Sequence, residues 1–113
     1  VGTVFGDEAP TTRPVSAIII NGLLDKAVPP QGGPSGGRGA DAWNAPARPN
    51  EEQATYWARA NGCDATPSKE TRGADIVTRY SCPPGRRVEL HQLKDNGHAW
   101  PGGQAGSRRG DKP

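Results

Sequence analysis

The chain has 113 residues, a formal charge of +2, and enough Gly (16) and Pro (12) to fill about a quarter of it, so it holds at most one small domain. Leu, Ile, Val and Phe make up about 13% of the residues, below the roughly 20% at which independent folding becomes suspect, although the high net charge of a disordered chain is missing. Arg and Lys are scattered among acids, which argues against nucleic acid, and the longest apolar run, Ala17 to Ile20, is far too short for a membrane span. A core this thin reads as part of a larger fold, with the missing apolar mass supplied by other segments.

The first element is Val15-Ser16-Ala17-Ile18-Ile19-Ile20, a β-branched run that stops at the turn signal Asn21-Gly22. Its continuous apolarity predicts a strand buried on both faces, as in a parallel sheet covered by helices. From Leu24 to about Asn50 the composition is that of a long Gly/Pro-rich loop anchored by Trp43. Within it, Gly33-Pro34-Ser35-Gly36-Gly37 is a literal match to G-x-S-x-G, the sharp strand-to-helix turn that presents a nucleophilic serine. No strand leads into Ser35 and no helix leaves it, and Pro34 is poorly suited to such a turn, so Ser35 is read as a loop serine.

Asn50 is a predicted N-cap, with Glu51 and Glu52 in the first turn and Gln53 placed to complete a capping box. Ala54, Trp57, Ala58 and Asn61 then recur at helical spacing, and Gly62 suits the position just past the helix end. Ile76–Tyr80 and Arg87–Leu93 read as two strands of an antiparallel hairpin around Pro83-Pro84-Gly85. In the second strand Val88 and Leu90 share one face, and Glu89 and His91 the other. Glycine-rich sequence follows from Asn96. The order of strand, long loop, helix and hairpin predicts the late part of an α/β sheet.

Cys63 and Cys82 form no C-x-x-C, which argues against zinc or a redox motif and leaves a disulfide or two buried thiols. A disulfide would imply export. Asp25 lies just past the carboxyl end of the first strand and His98 in a tight turn after the last. In an open α/β sheet such ends collect ligand and catalytic groups, and an aspartate beside a histidine fixes its tautomer. Each alone is also an ordinary loop residue. A metal site from His91, His98 and Asp25 has the right donors but no supporting spacing. Arg109-Gly110-Asp111 spells a cell-adhesion tripeptide, which a chain rich in these residues produces by chance.

Arg13–Pro29 with Gly32-Gly33, Tyr56–Cys63, Tyr80-Ser81-Cys82, Val88–Leu90 and above all Gly97-His98-Ala99-Trp100-Pro101-Gly102-Gly103 resemble, in order, segments of the polyhydroxybutyrate depolymerase-like esterases. That family includes feruloyl esterases of similar build. The resemblance implies a fold class, the C-terminal part of an α/β-hydrolase three-layer sandwich, with residues 1–113 belonging to one catalytic domain. It implies Asp25 as triad acid, His98 as general base and Cys63–Cys82 as a disulfide, with no cofactor or metal. It also implies a secreted or periplasmic enzyme acting on a polyester or a feruloyl-polysaccharide ester. The chain has Asn21-Gly22 where the family usually has His-Gly, and Pro30 where an aromatic residue is common.

Nucleophile, acid and histidine follow in that order in α/β-hydrolases, so Ser35, after Asp25, is out of order. The nucleophile and the oxyanion-hole donors are therefore expected upstream of Val1, and a closing helix downstream, leaving this chain alone inactive. The competing expectation is a non-catalytic carbohydrate- or polymer-binding module using Trp43, Trp57 and Trp100.

Overall fold

A computed structural model describes residues 13–33 and 48–103. Its elements are β1 (Ala17–Gly22), α1 (Asn50–Ala60), β2 (Ser68–Arg72), β3 (Asp75–Arg79) and β4 (Val88–Leu93). They form one four-stranded mixed sheet in the order β1-β4-β3-β2, with α1 against β4 and β1. β1 runs parallel to β4, while β2, β3 and β4 form an antiparallel meander. Ser35, Trp43 and the Arg109-Gly110-Asp111 tripeptide lie outside the described residues.

Strand alternation divides the sheet into two unlike faces. Ile19, Val88 and Leu90 point toward α1 and are buried, and Ile19 and Leu90 cluster with Ala54, flanked by Trp57 and Tyr80. The register puts Ile18 and Ile20 on the opposite face with Glu89, His91, Val77 and Arg79. That face carries an ionic ladder in which Glu70 meets Arg72 and Arg79, and Glu89 meets Arg79 and Arg87. No described helix covers it. The expectation that the first strand is buried on both faces is therefore corrected: Ile18 is 57% exposed.

The two edges of the sheet also differ. β2, Ser-Lys-Glu-Thr-Arg, is exposed throughout and charged, the composition that keeps an edge from pairing further. β1 carries no charge and, among the described strands, pairs only with β4. β2 went unread in the sequence because a polar, fully exposed strand has no apolar alternation. Its hairpin to β3 turns at Gly73, whose φ of 59° suits the first central position of a two-residue turn.

Helix α1 forms where its spacing predicts, with Ala54, Ala58 and Asn61 buried and Glu51, Glu52 and Arg59 exposed. Its start differs from expectation. Pro49 is the N-cap and no side chain caps the helix, so the Asn50–Gln53 capping box does not form. Asn50 turns inward instead and its Oδ1 accepts from Asn21 Nδ2 at 2.6 Å, both residues being buried. The end is as expected. Gly62, at φ 70°, follows the C-cap Asn61, with Gly62 N–H donating to Arg59 O and Cys63 N–H to Ala58 O, the paired bonds of a Schellman motif.

That motif delivers Cys63 to Cys82, and the two form a disulfide with Cα atoms 4.1 Å apart. Of the two states the sequence leaves open, the structure has the bridge. It fastens the end of α1 to the segment just after β3, across a separation of 19 residues. Such a loop contributes about 3 kcal/mol on a chain-entropy account.

The unequal faces make a direct prediction. Leu90→Ala empties a fully buried position and is expected to lower the unfolding free energy by about 2–5 kcal/mol. Ile18→Ala, on the open face, is expected to change it by less than about 0.5 kcal/mol, both read from urea titrations.

Candidate functional site

Side-by-side parallel strands end on the same edge of a sheet, and here Gly22 of β1 lies opposite Leu93 of β4. Both chains then turn, and the turns are tied together: Leu23 N–H donates to Leu93 O and Leu24 N–H to Asn96 O, each at 2.9 Å. Gly22 allows this closeness. A Cβ built on it would land on the Asn96 carbonyl. Asn21-Gly22, expected as the turn, is thus the last pair of strand residues, and glycine serves there for backbone approach rather than for a left-handed angle.

The turn after β1 presents Asp25, whose side chain is only 1% exposed. Its Oδ1 accepts from the backbone N–H groups of Ala27 and Val28, each at 2.9 Å. Oδ2 faces His98 Nδ1 at 2.9 Å, across 73 positions of sequence. One oxygen is pinned by the backbone and the other is offered to the imidazole. With Nδ1–H donating to Asp25, the neutral ring keeps its lone pair on Nε2. No described residue bonds to Nε2, and the His98 side chain is 40% exposed.

Asn96 is the positioning residue that sequence reasoning missed. It is buried, its backbone carbonyl takes the Leu24 N–H, and its Nδ2 donates to Ala99 O at 2.9 Å, closing the turn that carries His98. A single Asn in a glycine-rich turn carries no signal of that role. Asn21 likewise reads as a turn residue in the sequence, yet its side chain fastens the end of β1 to the first residue of α1.

The other histidine is held differently. His91 Nδ1 lies 2.9 Å from Asp75 Oδ2 and His91 Nε2 lies 3.1 Å from Glu89 Oε2, so carboxylates engage both nitrogens. Burial pulls its pKa down, but the hydrogen bonds to Asp75 and Glu89 outweigh burial and the net shift is upward. Burial pushes Glu89 up, and hydrogen bonds from His91, Arg87 and Arg79 reverse this to a net lowering. Both nitrogens of His91 serve the ionic face as donors, as expected of a strand-surface residue. His91 and His98 thus contact different acids, and no group of three ligand side chains able to hold a metal occurs among the described residues.

No family model, curated protein or solved structure matches the chain. Among the described residues no helix is long and apolar enough to cross a membrane.

The ionic face predicts a pH dependence of stability. A raised His91 pKa adds stability that is full below about 6.5 and lost as pH rises through the folded value. A lowered Glu89 pKa adds stability that is full above about 4.5 and lost as pH falls through the folded value. The thermal midpoint is therefore expected to be higher at pH 5.5 than at pH 8.5, and His91→Gln is expected to shrink that difference.

Proposed function

We propose that this chain is the acid- and histidine-bearing portion of a serine esterase of the α/β-hydrolase type. The observation that carries the reading is the His98 Nδ1–Asp25 Oδ2 hydrogen bond at the joined carboxyl ends of two parallel strands, with Nε2 left open. The resemblance of the His98-Ala99-Trp100-Pro101-Gly102-Gly103 stretch to the depolymerase-like esterases supports it further. The serine nucleophile and the oxyanion-hole donors belong to a segment N-terminal to Val1, which completes the three-layer sandwich. The disulfide fits a secreted or periplasmic protein.

In the completed site His98 Nε2 takes the serine hydroxyl proton as oxygen attacks the ester carbonyl. Asp25 keeps the ring in the Nδ1–H tautomer and stabilises the imidazolium so formed. Collapse of the tetrahedral intermediate passes that proton to the departing alcohol and leaves an acyl-enzyme. Water, deprotonated by the same nitrogen, hydrolyses it. The ester is that of an aliphatic polyester or a feruloylated polysaccharide, and the chemistry requires no metal or organic cofactor.

A second reading, a binding module without catalysis, is favoured by Trp100, which is 73% exposed beside His98. It expects polymer binding to survive the Asp25→Ala, His98→Ala double substitution.

In an enzyme that includes the segment N-terminal to Val1, Asp25→Asn is expected to lower kcat by roughly 10⁴-fold, with His98→Ala at least as damaging. The 113-residue chain alone is expected to show no triad-dependent turnover of a p-nitrophenyl ester. Turnover by the pure chain that Ser35→Ala abolishes would overturn the reading.

A further inference from the structure

Beside β1 and the His98 turn lies a groove of about 510 Å³. Along Ile18–Ile20 its wall is apolar, whereas at the carboxyl end of β1 it is formed by Asn21, Gln53, Asn96 and His98, with the exposed Trp100 alongside. Two of these side chains are unfinished. Asn21 is 2% exposed and Gln53 8% exposed, yet Asn21 Oδ1 and Gln53 Oε1 meet no donor among the described residues. A buried amide oxygen without a donor is destabilising, so two in one wall point to a partner that supplies hydrogens.

The chemistry of the two atoms limits that partner. Both are neutral acceptors, and two carbonyl oxygens are too few to coordinate a hard cation. A polyester chain brings carbonyl and ester oxygens, acceptors that face these atoms with lone pairs and leave them unsatisfied. Hydroxyl groups donate. Trp100 adds an apolar plane with a polar edge, against which the C–H face of a sugar ring can lie. Gln53 Oε1 sits just under the wall, and the broad terminal torsion of a glutamine can turn it outward.

We propose that the polar end of this groove is a subsite for a neutral polyhydroxylated group, the sugar side of a carbohydrate ester, whose hydroxyls donate to Gln53 Oε1 and Asn21 Oδ1 beside Trp100. The assignment of that group to a substrate rests on the esterase reading, but its binding is measured without turnover. The 113-residue chain is titrated with xylotriose and, separately, with a linear trimer of 3-hydroxybutyrate. The readouts are side-chain amide ¹⁵N–¹H shifts of Asn21 and Gln53 and tryptophan fluorescence.

Xylotriose is expected to give saturable shifts at both amides and a fluorescence change lost in Trp100→Ala, whereas the hydroxybutyrate trimer gives neither. Gln53→Leu and Trp100→Ala are each expected to weaken xylotriose binding at least tenfold. Trp100 is exposed, so its replacement leaves the fold in place. No saturable response to xylotriose, an equal response to the trimer, or undiminished binding by Trp100→Ala overturns the proposal. If xylotriose binds as expected while Asp25→Asn leaves ester hydrolysis by the completed enzyme unchanged, the esterase reading fails and the subsite stands. The opposite result removes the subsite alone.

Discussion

β1 and β4 stay in parallel register from Ala17 opposite Val88 to Gly22 opposite Leu93, and the pairing continues beyond the strand ends through Leu23 and Leu24. Every feature of the candidate site depends on this contact. It joins two turns that are 73 residues apart at their functional side chains, and it needs a glycine at the point of closest approach. With the turns fixed by backbone bonds, Asp25 needs little conformational freedom to reach His98. Its carboxylate is held by two N–H groups on one oxygen before the imidazole meets the other. The geometry is built by strand pairing, and the side chains complete it.

The parts of this arrangement that were legible in the sequence are those with a periodic or chemical signature. The apolar run at Ala17–Ile20, the helical spacing of Ala54, Ala58 and Asn61, and the alternation of Val88 and Leu90 with Glu89 and His91 each predict the element observed. Asp25 and His98 could be singled out because both residue types follow strand ends. What could not be read depends on tertiary contact. Asn50 has every local qualification as a helix cap, but Asn21 recruits its side chain inward and Pro49 takes the cap position. Ile18 has the same β-branched character as Ile19, and only the side of the sheet on which α1 lies separates them. β2 has no apolar face at all, so its pairing with β3 is the only sign that it is a strand.

The two histidines show how one residue type takes two roles through its neighbours. His91 spends both ring nitrogens on carboxylates of the ionic face, whereas His98 spends one on Asp25 and keeps one. Proton transfer requires a nitrogen that is free to change partner, and His98 alone offers it. The amides around it follow a similar division. Asn96 uses its side chain to close the turn, while Asn21 and Gln53 retain acceptors that the fold leaves unfilled.

The unlike edges give the sheet a direction. On the β2 side Lys69, Glu70 and Arg72 would have to leave water or be crowded if a further strand docked, so pairing stops there. On the β1 side the outer backbone groups of Ala17–Gly22 border an uncharged strand. A sheet of this kind accepts growth from one end only, which orders its assembly. The hairpin end is complete once β2, β3 and β4 have paired, and whatever strand docks later must dock next to β1, within reach of the open nitrogen of His98.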